Sequence, residues 1–388
     1  MQDLPLTHYD QIKKIRPELW NFLNKEILRL KEIKWSEPIH SVDDINSPFY
    51  EECIENLFIA SVNHNAKIVE LPTPIFYESF IESGAAQKLL LTLNHDYHNI
   101  LNFELFGKKT FYFSEGLIEN LLSTELNVPS ELIRPPFDSC LFVMQGKAAI
   151  DAMSIGFPKW KPTAEDYKFP ISITLTYFNN PNRYQHPKVL ISVTHWHGSV
   201  LNMMIKREVL IRPDWDIEKS LRTDWEAIEE NSKDNETNSN IYSSSSLFYN
   251  DALSFFRLIL NSILYITSNN PDITQVLSKR NTAIKSSEKI RSQVKSKKAK
   301  QQAKKLSELD YHLVGKDVGQ IIINKDIKSS DTTQKNNNIE YAVRFLVRGH
   351  WRNQACGSEL TDRRLVWIKP YYKGPEMADL INRPYIAK

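Results

Sequence analysis

Glycine is scarce in this chain, with 11 among 388 residues. Neither GxGxxG nor the GxxxxGK loop followed by Ser or Thr occurs. Both loops need glycine where backbone must approach phosphate, so the composition argues against Rossmann dehydrogenases and P-loop NTPases. There is no GxSxG elbow and no HExxH helix, which argues against α/β-hydrolases and zinc proteases. The three cysteines (Cys53, Cys140 and Cys356) are widely spaced and odd in number. They make neither a disulfide framework nor a zinc ribbon, and they suit a reducing cytoplasm. The opening residues, MQDLPLTHYDQIKKIRPELW, hold no apolar signal core, so no export is expected. No motif fixes a cofactor, and no metal site is assigned.

A charge-free run long enough for a membrane is missing too. Leu247–Ile266 has the required length but carries Asn250, Asp251, Arg257 and Asn261. Charged side chains are costly at membrane depth, so a buried helix is expected there and no membrane partner. What is present is ordinary for a globular protein: 41% hydrophobic and 25% charged residues. A chain this long exceeds one small core, and two or three compact units are the expectation. The net charge of +2 comes from 49 basic and 47 acidic residues, and it conceals their uneven distribution.

The pattern along the chain is α+β, with mixed helices and antiparallel strands. Thr7–Trp35 has helical spacing interrupted by Pro17, which should end one helix and open the next. PFYEECIENLFIASV and YESFIESGAAQKLLLTLNHDYHNILNF read as further helices. KTFYFS, CLFVM, ISITLTYF and KVLISVTHW are β-rich. The last two flank NNPNRYQHP, a turn composition that makes them antiparallel neighbours. Residues 230–246 are polar and rich in Ser and Asn, and read as a linker or disordered loop between an N-terminal α+β domain (1–229) and a C-terminal unit (247–388). That unit combines the apolar helix, a basic helix and a β-hairpin. The basic stretch, Lys279–Lys305, holds eleven Lys/Arg against the single acid Glu288. A second polar loop, Lys325–Asn338, precedes the final strands.

Clustered cations attract polyanions and release counterions on phosphate. Lys295, Lys297, Lys298 and Lys300 are therefore candidates for contact with a nucleic-acid backbone; the plain alternative is a solvated charged helix. Thr194–Ser199, THWHGS, places His195 and His197 two apart at a strand end, on one face. They could act as a general acid/base pair or as ligands, although no acid lies at suitable spacing nearby. His95 and His98 share a helix face three residues apart and would matter chemically only if the fold joined them to the others.

From Tyr341 the chain alternates, YAVRFLVRGHW. Arg344, Arg348, His350 and Arg352 fall on one face and Trp351 on the other. Between Arg344 and Lys373 there are seven Lys/Arg against two acids, with aromatics interleaved. Such a sheet can contact phosphate and stack bases, so Arg344, Arg348, Arg352 and Trp351 join the nucleic-acid candidates; the alternative is a half-exposed hairpin packed on the core. The pattern RGHWR (348–352), then Arg363–Arg364, Trp367–Ile368, Pro370 and Lys373–Pro375, resembles the tail of a loose set of largely uncharacterised bacterial proteins. They are carried on plasmids, prophages and other mobile elements. The resemblance covers about forty residues. It implies a mobile-element setting and no reaction, and the intervening loop here carries Glu359 and Asp362.

The leading expectation is a nucleic-acid-associated protein of a mobile-element or phage-conflict system. One rival is a toxin- or effector-like nuclease, or a nucleotide-handling enzyme, using His195, His197 and His350. A second is a protein–protein inhibitor or assembly subunit. Convergence of the five histidines named above in one pocket would favour the enzyme.

Overall fold

A computed structural model of the chain describes residues 4–157, 160–198, 200–233, 249–278, 306–319 and 345–373. Its architecture is α+β, with ten helices among the described residues. The chain begins with helices α1 (His8–Ile15) and α2 (Pro17–Glu32). Thr7 and Asp10 form a reciprocal capping box at α1, and Pro17 opens α2 at a position where its missing N–H costs nothing. A short helix, α3 (Val42–Ile45), leads to α4 (Tyr50–Ile68), α5 (Thr73–Glu82) and α6 (Ala85–Leu105). The pattern from Tyr77 to Phe103 predicts one helix; the structure divides it. Gly84 takes a left-handed φ of 69°, which a helix interior cannot hold, and the chain reverses there.

Next come β1 (Lys109–Phe113), α7 (Glu115–Leu122), β2 (Ser139–Met144) and α8 (Lys147–Gly156). Strands β3 (Ile171–Phe178), β4 (Lys188–His197) and β5 (Val200–Leu210) follow, then helices α9 (Ile217–Lys233) and α10 (Tyr249–Thr267). The last strands are β6 (Ile273–Val276), β7 (Tyr311–Val314), β8 (Phe345–Val347), β9 (His350–Cys356), β10 (Asp362–Ile368) and β11 (Tyr371–Lys373).

Seven strands make one sheet in the order β5-β4-β3-β2-β1-β7-β6. β1 runs parallel to both neighbours, β2 and β7, while the other pairs are antiparallel. β3 and β4 pair antiparallel across the NNPNRYQHP loop, as its composition predicts. Every residue of β2 and β3 is buried, because helices cover both faces of the sheet. One face packs against α1, α2, α4 and α6 through Tyr112, Leu141, Val143 and Trp196. The other packs against α7, α8, α9 and α10 through Phe111, Phe142, Ile173 and Val193.

α10 is the apolar run noted in the sequence. It is a buried core helix, and no described helix is long and apolar enough to cross a membrane. It lies after the polar stretch 230–246, yet it shares a core with β1–β4 and with α7 and α8, as does Trp351 of β9. Residues 279–305 and 320–344 lie outside the described residues. Lys295, Lys297, Lys298, Lys300 and Arg344, the candidates for phosphate contact, therefore lie outside the described residues.

Candidate functional site

The alternation from Tyr341 predicts one strand running through Trp351. The structure divides it at Arg348–Gly349: β8 pairs with β11, and β9 pairs with β10. The break has a cause in backbone bonding. Gly349 N–H donates to the Ser123 carbonyl (3.0 Å), and Glu125 N–H donates to the Gly349 carbonyl (2.8 Å). The chain is thereby tied to the turn that follows α7. A Cβ at Gly349 would sit 2.6 Å from Thr124 Oγ1, 2.7 Å from Pro370 Cδ and 3.0 Å from the Ile368 carbonyl oxygen. Only glycine allows that approach.

The two tryptophans of the tail point into this junction. Trp351 is buried, and its indole N–H donates to Asn261 Oδ1 (2.8 Å) on α10. Asn261 in turn donates through Nδ2 to the carbonyls of Leu121 (3.1 Å) and Thr124 (3.0 Å). Trp367 lies opposite Trp351 in the hairpin register, donates to Thr124 Oγ1 (3.2 Å) and packs edge-on against Tyr265. Gly349, Trp351, Trp367 and Pro370 of the tail pattern thus act as a clasp holding the β9–β10 hairpin to α7 and α10. Trp351 does not offer its ring to solvent.

With one face of the hairpin clasped, the other looks outward. His350, Arg352 and Gln354 alternate on β9 away from Trp351, and the register sets Arg364 directly opposite Gln354. All four are exposed, as is Arg363 on the neighbouring position. Arg352 donates to Gln354 Oε1, a contact that aligns the guanidinium along the strand. Arg348, at the break, lies 4.0 Å from Glu125. No acidic side chain stands at ion-pair distance from His350 among the described residues.

His195 and His197 find an acid that sequence spacing did not reveal. His197 Nδ1 lies 3.1 Å from Asp166 Oδ1, and His195 Nε2 lies 3.3 Å from the Asp166 backbone carbonyl. A carbonyl only accepts, so His195 carries its proton on Nε2. Asp166 Oδ2 also accepts from the Thr163 N–H (2.7 Å) and hydroxyl (2.8 Å). Burial pushes the Asp166 carboxyl upward, but the bonds from Thr163 and His197 outweigh it and hold the group below its ordinary value. Burial lowers His195, whose ring packs against Trp160. His197 is half-exposed. With Nδ1–H aimed at Asp166, its Nε2 keeps a lone pair, the arrangement of an oriented general base. The Thr-x-x-Asp spacing at 163–166 is a legible local cap; its reach to a strand 31 residues on is not.

A second group lies on the opposite face of the sheet. His8, His95 and Asp96 present ligand-type atoms within 4.8 Å of one another. Hydrogen bonding argues against a metal there. The Trp196 indole N–H donates to His8 Nδ1 (2.9 Å), so the His8 proton sits on Nε2, 3.0 Å from Asp96 Oδ1. A metal would need that Nε2 lone pair, and Arg16 already occupies Asp96 Oδ2 at 2.5 Å. Despite burial, the His8 bond and Arg16 keep the Asp96 carboxyl far below its usual range. His98 bonds the Asn94 carbonyl (2.9 Å), and burial lowers it to about 4. The five histidines do not converge: His95 and His98 lie on the α6 side, His195 and His197 meet Asp166 on the other side, and His350 stands on the hairpin.

A family model described as AcrVA2-like, anti-CRISPR type V subtype A2 family, matches residues 111–372. No curated protein and no solved structure matches the chain. The match spans about two-thirds of the sequence, from the first sheet strand to the clasped hairpin. The chain belongs to the AcrVA2-like anti-CRISPR family.

Proposed function

We propose that this member of the anti-CRISPR family counteracts a type V CRISPR system by engaging nucleic acid of that system through the outer face of its C-terminal hairpin. One observation carries the reading. The hairpin is clasped by Trp351 and Trp367 on one face while His350, Arg352 and Arg364 stand exposed on the other. A rigid strand pair with forked cations along one side suits bidentate phosphate contact. Arg344, Arg348 and the lysines Lys295, Lys297, Lys298 and Lys300 would add longer-range attraction, and His350 a hydrogen bond. Trp351 enters this scheme only as the anchor that sets the face.

Protection of a phage in cells carrying a type V system that targets it tests the function. The chain should restore plaques. Arg352→Glu with Arg364→Glu should lower plating by about tenfold or more at unchanged protein level, because each reversal turns a phosphate contact repulsive. Full protection by that variant would refute the hairpin's role.

A second reading rests on the Asp166–His197 pair. An imidazole oriented by a carboxylate, with its other nitrogen toward solvent, can move a proton in a nuclease or nucleotide-handling reaction. This reading predicts turnover of RNA, DNA or a nucleotide that Asp166→Asn reduces on the order of a hundredfold. If His197→Ala leaves every such activity intact, the pair is structural.

A further inference from the structure

α5 is unusual among the helices described. None of its residues is buried. It is held by Phe76 and Phe80, which stack on each other at 5.4 Å, with Phe80 set 6.2 Å from Phe58 of α4. Its remaining large apolar side chains, Ile75, Tyr77 and Ile81, face solvent, as do Ile59 of α4 and Leu71 at the α4–α5 turn. Among the described residues, eight of the 16 exposed large hydrophobic residues lie between Ile59 and Leu91. That is a concentration, and contiguous exposed apolar surface of this kind marks an interaction site.

The charge around it has one sign. Glu51, Glu52, Glu55, Glu70, Glu78 and Glu82 are all exposed, against Lys67 alone in the α4–α5 segment. None of the six has an ion-pair partner among the described residues. Along α5, Ile75, Glu78 and Glu82 fall at three- and four-residue spacing, so one line of the helix carries an apolar residue followed by two acids.

We propose that the outer face of α4–α5 is a docking surface for a basic amphipathic polypeptide segment of a partner protein. Complementary charge selects the occupant. A nucleic acid or an anionic membrane would meet carboxylates, and a second copy would bring its own acidic rim against this one. An amphipathic helix lays its apolar stripe on such a face and its lysines along the rim. The surface precedes residue 111, where the family match begins. In the fold, α4 packs through Cys53 and Leu57 into the core on the α6 side of the sheet, while Trp351 and Trp367 of the hairpin pack into the core on the other side, so neither proposal depends on the other.

The test uses the full chain and a labelled leucine–lysine amphipathic peptide, with a leucine–glutamate peptide of the same pattern as control, read by fluorescence anisotropy. The chain should bind the lysine peptide and not the glutamate one. Glu78→Lys with Glu82→Lys, and separately Ile75→Ser with Ile81→Ser, should each weaken binding by about tenfold. All four positions are exposed, so circular dichroism should be unchanged. Equal binding of both peptides, no binding of either, or indifference to both variant pairs would overturn the proposal. Two further results would overturn it by naming another occupant. One is self-association abolished by Ile75→Ser with Ile81→Ser. The other is a gain in peptide affinity when Lys295, Lys297, Lys298 and Lys300 are changed to Gln, which would place the chain's own basic stretch on the face.

Discussion

Gly349 has no side chain because three other atoms occupy the space where one would go. Changing it to Ala forces Thr124 or the Ile368 carbonyl to shift, and overpacking of this kind costs about 1–3 kcal/mol. The loss should appear as a lower denaturation midpoint followed by tryptophan emission, with Trp351 and Trp367 reporting the junction directly. At this scale the sequence was partly legible. Strand alternation put Trp351 opposite His350 and Arg352, and the structure keeps them opposite. Alternation separates an apolar face from the arginine face, but not whether the interleaved aromatics pack on the core or stay open to stack bases, and so the same tryptophan also reads as a stacking platform. Asp166 shows the other limit. Its local cap with Thr163 follows from spacing, while its bond to His197 depends on how a loop returns to a strand.

Among elements, the decisive contact is between α10 and the hairpin. Asn261 reads in the sequence as a polar residue arguing against a membrane span; in the fold it is fully buried and serves three partners. Asn261→Leu would keep the branched shape, with somewhat greater bulk, and leave the Trp351 N–H and two carbonyls without it. An unsatisfied buried polar group costs about 1–3 kcal/mol, so stability should fall by more than a simple polar-to-apolar exchange. Hydrogen exchange should accelerate in residues 350–368 before the central sheet. No change in exchange there would mean the hairpin is held by other contacts. The strand expected to run unbroken through Trp351 fails for the same reason: its backbone bonds at Gly349 go to the α7 turn, a partner 224 positions earlier at Glu125. Periodicity carries no information about such a partner. The helix and strand types elsewhere, set by local spacing, were readable, including the Pro17 boundary and the β3–β4 pairing.

For the whole molecule, the polar stretch 230–246 reads as a boundary, but composition does not tell where the flanking elements go. α10 returns to the core that β1–β4 build. His98, lowered to about 4 by burial, binds a proton more readily when unfolded. Stability should therefore fall as pH drops from about 6.5 to about 4, with a slope of up to ~1.4 kcal/mol per pH unit from this one group. Glu208 is held at about 2 despite burial, by bonds to His40 and Lys188. Its contribution has the same sign in a lower window, present above its unfolded value and lost as pH falls from about 4.5 toward about 2. A denaturation series across these windows checks both, with His98→Gln reducing the slope in the upper one, where the buried His95 and His195 add to it with the same sign, and leaving the lower one unchanged. The central claim is that the clasped hairpin turns a basic face toward nucleic acid. Its most direct test is a salt series of anisotropy measurements on labelled RNA and duplex DNA, with heparin as competitor, comparing the native chain with Arg352→Glu plus Arg364→Glu. The account predicts binding at low salt, and loss of two contacts should shallow the duplex slope of log affinity against log salt by about 1.8. An unaltered slope and affinity in the variant, or no binding by the native chain at low salt, would contradict it.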